Sequence, residues 1–192
     1  MEQAEAMKKA IPAFKNEQPV GDGIGPMVVG KMMLDAKKEL IAFQTVLSRT
    51  TFEKRNLLLL KAEGPGSTVG RPGDALENIA SANNLDAIIM IDAALKMEGE
   101  NSATVAHGFG AAIGGIGTEK FQIEAIATKN NIPVFSIVIK QSVLEAITLM
   151  TKDIANQADN VRSQVYDLIL ENTLENQTVL VIGVGNTVGV PQ

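Results

Sequence analysis

The chain has 192 residues, enough for one domain with a substantial core, and 45 % of them are hydrophobic. Its formal net charge of −5 argues against non-specific binding to nucleic acid. The absence of Cys excludes disulfides, thiolate metal sites and thiol nucleophiles, and aromatics are so scarce (4 %) that the core must be built from Ile, Leu, Val, Ala and Met.

Residues 1–18 are amphipathic and charged, and lack the apolar stretch of a secretory signal. They read as a loosely packed helix ending before Pro19, or as a linker from a preceding segment. Residues 19–192 read as a single domain. Pro19 to Pro26 is a Gly-rich loop opening a helix, with Pro26 in its first turn and an apolar run from Met27 to Leu34. Lys38–Ser48 and Thr51–Ala62 are two extended segments, which the short Arg49-Thr50 link would make an antiparallel pair. If Leu57–Leu60 lay on an edge strand, a homodimer would cover it. Glu63–Gly73 is a loop, and Asp74 is placed to cap a helix running to about Asn84.

Ala87–Ile91 is a short, continuous apolar run, the mark of a strand buried on both faces. Lys96–Gly117 reads as a long loop with a strand near Thr104–Ala106. Thr118–Asn130 is a helix and Pro133–Ile139 a second buried strand. Helices follow over Ser142–Met150 and Asp153–Asn172, and Thr178–Val184 is a third buried strand. This alternation predicts an α/β fold, a sandwich with a largely parallel sheet. No apolar run reaches the length of a membrane span. Without Cys or a secretory pattern, the cytoplasm is the simpler location, with a tether through an N-terminal segment beyond this chain as the variant.

Four constellations carry candidate chemistry. Gly21-Asp22-Gly23-Ile24-Gly25-Pro26 places Asp22 either as a helix cap or as an acid in a strand-end crevice. The same hexapeptide matches the opening of decarboxylating hydroxyacid dehydrogenases. The chain is too short for that fold, and it has neither a strand directly before the motif nor an Arg cluster for a dicarboxylate. Asp92 follows the buried run Ile88–Ile91, where an ionised carboxylate must be paired, capped or metal-bound. It reads as a catalytic acid/base or metal ligand, or as an acceptor of loop amides. His107, the only His, is by itself a packing or loop residue. Beside Asp22 and Asp92 it would complete a site for Zn, Ni or Mn. The glycine sets Gly64–Gly66 and Gly114–Gly117 suit tight turns or close approach to a peptide, without the form of a P-loop.

Taken in order, these segments resemble the spore-germination endopeptidases. Asp22-Gly23-Ile24-Gly25-Pro26 is similar to their Asp-x-x-Gly-Pro signature, Pro65–Gly73 to their Pro-Gly loop before a helix, and Asp86–Ala93 to their strand ending in Ile-Asp-Ala. Gly114–Gly117 with Asn131–Ile137 resembles their Gly-rich turn, helix and Ile-Pro-Val strand, and Thr151–Ile154 follows in place. The likeness runs from Asp22 to about Ile154. It implies a three-layer α/β/α sandwich of the phosphorylase/hydrolase-like kind, with Asp22 and Asp92 at the two acidic positions proposed as catalytic. The related hydrogenase-maturation peptidases use such acids with a His to bind nickel. In these relatives a strand ending in Gly-x-Gly-Asn comes first. Here Val181–Asn186 closes the chain, which implies a circular permutation that brings Gln192 near Pro19. His107 does not fall on the family's His without a gap.

The expectation is therefore a peptidase-like hydrolase with a paired-carboxylate site, acting on a peptide or protein. Gly66, Ser67 and Asn186 would line its substrate pocket. The alternative is a ligand- or metal-binding sensory domain that keeps the fold without the chemistry.

Overall fold

The structure, a computed structural model, describes residues 2–34, 36–111 and 118–191. The glycine set Gly114–Gly117 and the terminal Gln192 lie outside them. Among the described residues seven strands form one sheet: β1 (Lys38–Ala42), β2 (Thr45–Phe52), β3 (Arg55–Ala62), β4 (Ala87–Leu95), β5 (Val105–Phe109), β6 (Val134–Gln141) and β7 (Thr178–Gly183). Their spatial order is β1-β2-β3-β7-β4-β6-β5. The four inner strands β3, β7, β4 and β6 run parallel, while β1, β2 and β5 add antiparallel pairings at the margins. Helices lie on both faces, so the expected three-layer α/β architecture is present.

The continuous apolar runs of the inner strands follow from this layering, because alternate residues serve different cores. On one face Leu57, Leu59, Ile89, Ile91, Ile137, Val179 and Val181 pack against α2 (Ile24–Met32) and α6 (Lys152–Asn172). On the other, Leu58, Leu60, Ile88, Met90, Leu180 and Ile182 pack against α3 (Pro72–Ala82) and α4 (Thr118–Lys129). The long helix α6 presents Ile154, Ala158, Val161, Val165 and Ile169 at helical spacing and leaves its polar residues outside. In the N-terminal helix α1 (Glu2–Lys15), from Met7 onward only Ala10 and Ala13 are buried, and Met7, Ile11 and Phe14 stay exposed. No helix of the described residues is long and apolar enough to cross a membrane.

Three details depart from the sequence expectation. The stretch from Lys38 to Ala62 is a three-stranded meander whose turns fall at Phe43-Gln44 and Glu53-Lys54, rather than a pair turning at Arg49-Thr50. Glu53 and Lys54 adopt φ of 45° and 61°, a turn geometry that Gly or Asn would have advertised. Leu57–Leu60 is consequently interior, flanked by β2 and β7, and offers no edge for a dimer. The strand expected at Thr104–Ala106 lies at Val105–Phe109 and forms one margin of the sheet. Asp74 does not cap α3. The helix opens at Pro72 after Arg71, and the Gly73 N–H is met instead by Glu119 Oε2 at 3.0 Å, while Asp74 Oδ1 accepts from Gln122.

The segment after β7 closes the fold. The Thr187 hydroxyl donates to the carbonyl oxygens of Glu63 (2.7 Å) and Gly66 (2.8 Å), and Gly189 N–H donates to Pro65 O. Gly189 also lies against Glu17–Pro19, while Gln192, expected near Pro19, lies outside the described residues. The start of α2 is pressed onto the carboxyl ends of β4 and β7. A Cβ on Gly25 would stand 2.4 Å from Val184 O and 2.5 Å from Ile91 O, and one on Gly183 would stand 2.5 Å from Gly25 O. Backbone meets backbone there, and neither side can give way without moving a helix off a sheet. Gly25→Ala and Gly183→Ala should each destabilise the protein by about 3 kcal/mol or more, as overpacking against backbone does. Urea denaturation of the two variants against wild type measures this.

Candidate functional site

Asp22 and Asp92 come from distant parts of the chain and meet at the carboxyl ends of the parallel strands, where open α/β sheets place their ligands. Pairing of β4 with β7 stops at Ile91–Gly183, while pairing with β6 continues to Leu95–Gln141. Asp92 stands just where its β7 neighbour has run out. By the alternation of β4 it projects with Ile88 and Met90 toward the α3/α4 face. Asp22 lies in a short 3-10 turn, Gly21–Gly23, that leads into α2. Its carboxylate does not cap that helix. Asp22 Oδ2 accepts instead from the Asn186 backbone N–H at 2.8 Å. This bond depends on Gly185, which takes φ +138° and passes so close to Asp22 that a Cβ would overlap its carbonyl oxygen.

A cavity of about 540 Å³ opens above these residues. Asp22, Asp92, Lys120 and Gln141 are polar members of its wall, and Val69, Pro72, Ala93, Ala94, Leu95 and Ala146 are among the apolar ones. Lys120, on the first turn of α4, forms an ion pair with Asp92 Oδ2 that is almost entirely buried. Asp92 is only 2 % exposed, and its Oδ1 accepts from the Ala93 N–H at 2.8 Å. Burial raises its pKa from 3.8 to about 6, against the lowering pull of Lys120 and with a further push from the negative charge of Asp22. Asp22 is also raised, chiefly by burial, while the Asn186 amide and Lys120 act in the opposite sense. Two carboxyls raised by burial and one lysine therefore share the pocket.

The remaining sequence candidates fall into two groups. Ser67 and Asn186 contact each other, with Asn186 Nδ2 donating to Ser67 Oγ at 3.0 Å, and Asn186 Oδ1 accepting from the Val188 N–H. They brace the loop that holds Asp22. Neither they nor Gly66 are among the residues lining the cavity. His107 is not part of the site. On β5 it pairs with Ile137 of β6, which directs it to the α2/α6 face, opposite to Asp92, and its Nε2 lies 2.6 Å from Gln164 Oε1 on α6. Among the described residues no group of three His, Cys, Asp or Glu side chains could hold a metal ion. With Lys120 seated on Asp92, the donor set does not fit Zn, Ni or Mn.

Sequence reasoning missed Lys120 and Gln141. The usable signal for Lys120 was the requirement that a carboxylate at the end of a buried strand find a cation, and Lys120 opens the helix after the Gly-rich loop. Gln141 ends the strand adjacent to that of Asp92, the position that strand-end reasoning already favours.

A family model described as a domain of unknown function (DUF1512), C-terminal, matches residues 20–191, and the chain belongs to that family. A search of curated proteins returned no match.

The raised pKa of Asp92 carries a stability consequence of definite sign. A carboxyl raised in the folded state favours folding fully below its unfolded pKa, and that contribution is lost as pH rises through the folded value. A rise from 3.8 to about 6 corresponds to about 3 kcal/mol. The stability of wild type relative to Asp92→Asn should therefore fall by about this amount between pH 4 and pH 7. Urea denaturation of both proteins across that range gives the difference directly.

Proposed function

We propose that this DUF1512 C-terminal domain is a hydrolase of peptide-type substrates that works through the carboxylate pair Asp22 and Asp92. The observation that carries this reading is a strand-end pocket in which buried Asp92 and partly buried Asp22, both raised, lie beside one lysine. Such burial is unfavourable to stability and is a common signature of acid–base sites. The resemblance to spore-germination endopeptidases, with its implied circular permutation, supports the same assignment of both acids.

The environments divide the roles. Asp92, the more buried, is raised to about 6 and is the general acid. Asp22, steadied by the Asn186 amide, is the base. Asp22 removes a proton from water as the water oxygen bonds to the carbonyl carbon. The C–N bond then breaks as Asp92 gives its proton to the leaving nitrogen, and the acid and amine products depart. Lys120 holds Asp92 in place and offsets the negative charge that builds on the carbonyl oxygen. An intracellular site of action accords with the lack of Cys.

Cleavage of a mixed peptide library, followed by mass spectrometry, tests this. Asp22→Asn and Asp92→Asn should each lose about 100-fold or more in rate while remaining folded. The pH profile should be a bell whose alkaline side falls near pH 6, as Asp92 loses its proton. Lys120→Met removes a charge that lowers both carboxyls, so the whole bell should move to higher pH. A second reading, a sensory domain without turnover, draws on the ion pair itself, because Lys120 already engages Asp92. Thermal stabilisation by peptides with no cleavage in any fraction would favour it.

A further inference from the structure

The molecule is acidic as a whole, with a formal net charge of −5, but one helix reverses the sign. From Met7 to Asn16 the charged residues are Lys8, Lys9 and Lys15, with no acid among them. The same stretch of α1 leaves large apolar side chains in water: Met7 is 68 % exposed, Ile11 60 % and Phe14 38 %. Residues three and four apart share one side of a helix, so these three form a single stripe. Ala10 and Ala13 lie next to it on the inward side and are buried, and Ala13 packs with Val20 and Val188. Lys8 and Lys15, each one step past a residue of the stripe, are exposed and run along its outer border. Around the helix, the side held by the protein is followed by an apolar stripe and then by a row of ammonium groups.

The surface beside α1 has the same character. The helix rests on α5 (Val143–Ile147), which buries no residue and leaves Val143 and Leu144 exposed. Apolar side chains bordered by lysines suit the boundary between the acyl chains and the headgroups of an anionic bilayer, where the stripe enters and the ammonium groups stay among phosphates and carboxylates. We propose that α1 docks this face on an anionic lipid surface, lying in the headgroup layer without spanning it. No helix of the described residues is long and apolar enough to cross. A second copy fits the stripe less well. Antiparallel pairing through it would set Lys8 and Lys15 of both helices along one side, like charge against like. Three apolar side chains attach weakly, so the lysines supply the rest of the affinity, and attachment is reversible. Because α5 also places Ala146 in the cavity wall, docking brings the cavity next to the bilayer, whatever the pocket does.

The test mixes the 192-residue protein with phosphatidylcholine vesicles, prepared with or without phosphatidylserine, and reads the bound fraction by flotation. Wild type should bind the phosphatidylserine vesicles at least about tenfold more tightly than phosphatidylcholine alone, and high salt should remove most of the difference. Lys8→Gln/Lys15→Gln and Met7→Gln/Ile11→Gln should each lose about tenfold on phosphatidylserine vesicles. Both double variants should keep the wild-type melting temperature, since all four side chains are exposed. Absence of binding to phosphatidylserine vesicles overturns the proposal, as does equal binding with and without the anionic lipid. A wild-type dimer in analytical ultracentrifugation that Met7→Gln/Ile11→Gln dissociates also overturns it, because a second copy then covers the stripe. A fall in the melting temperature of that variant does the same, because the stripe is then packed within the molecule.

Discussion

The contact on which the site depends is the meeting of two backbones, where Gly25 at the start of α2 rests on Ile91, Gly183 and Val184 at the ends of β4 and β7. Helix-to-sheet packing normally leaves a layer of side chains between the axes. Removing that layer at one point lets the turn before α2 dip to the level of the strand ends. Asp22 is carried on that turn, and Asp92 stands one residue beyond the contact on β4. The two acids can face one cavity because glycine occupies both sides of the approach. The segment after β7 then fastens the arrangement, with Gly185 passing under Asp22 and Asn186 donating to it.

The electrostatics are a consequence of this depth. Carboxylates drawn to the floor of a sheet lose water, and desolvation heads the influences on both acids. Lys120 relieves part of the burden without abolishing it. The cation reaches the pair from α4, the helix fastened to α3 through Glu119 and Gln122, so its aim is set by helix packing. Buried ion pairs of this kind contribute little net stability, and an apolar pair would pack more favourably. The pocket retains charge where the fold alone would select against it.

Much of the architecture was legible from local chemistry. Short uninterrupted apolar runs bounded by polar and turn residues, such as Ile88–Ile91 and Val179–Ile182, mark strands buried on both faces, and the helical stripe of α6 fixes its packing side. The acid at the end of such a run marks the functional edge of the sheet, which is how Asp92 stood out. What failed depended on geometry that sequence does not advertise. The hairpin at Glu53-Lys54 uses left-handed residues without glycine or asparagine. His107 is one residue out of phase with the face that Asp92 occupies, and in a strand one residue is the difference between two sides of a sheet. Lys120 and Gln141 belong to common residue types, and only the fold distinguishes them from their solvent-facing counterparts.

The position of β7 bears on how the molecule is made. This strand lies in the middle of the sheet, between β3 and β4, yet it follows every other described strand in the chain. Until it is present, β3 and β4 have no bridge, both inner faces lack a central row, and Asp22 lacks the Asn186 N–H that fixes its carboxylate. Emergence from the ribosome therefore brings out most of the elements before the piece that unites them. Early fragments expose two unjoined half-sheets with apolar faces, the condition in which nascent chains engage chaperones. The pocket cannot exist before β7 has been synthesised, so a product that stops ahead of Thr178 has no partial site.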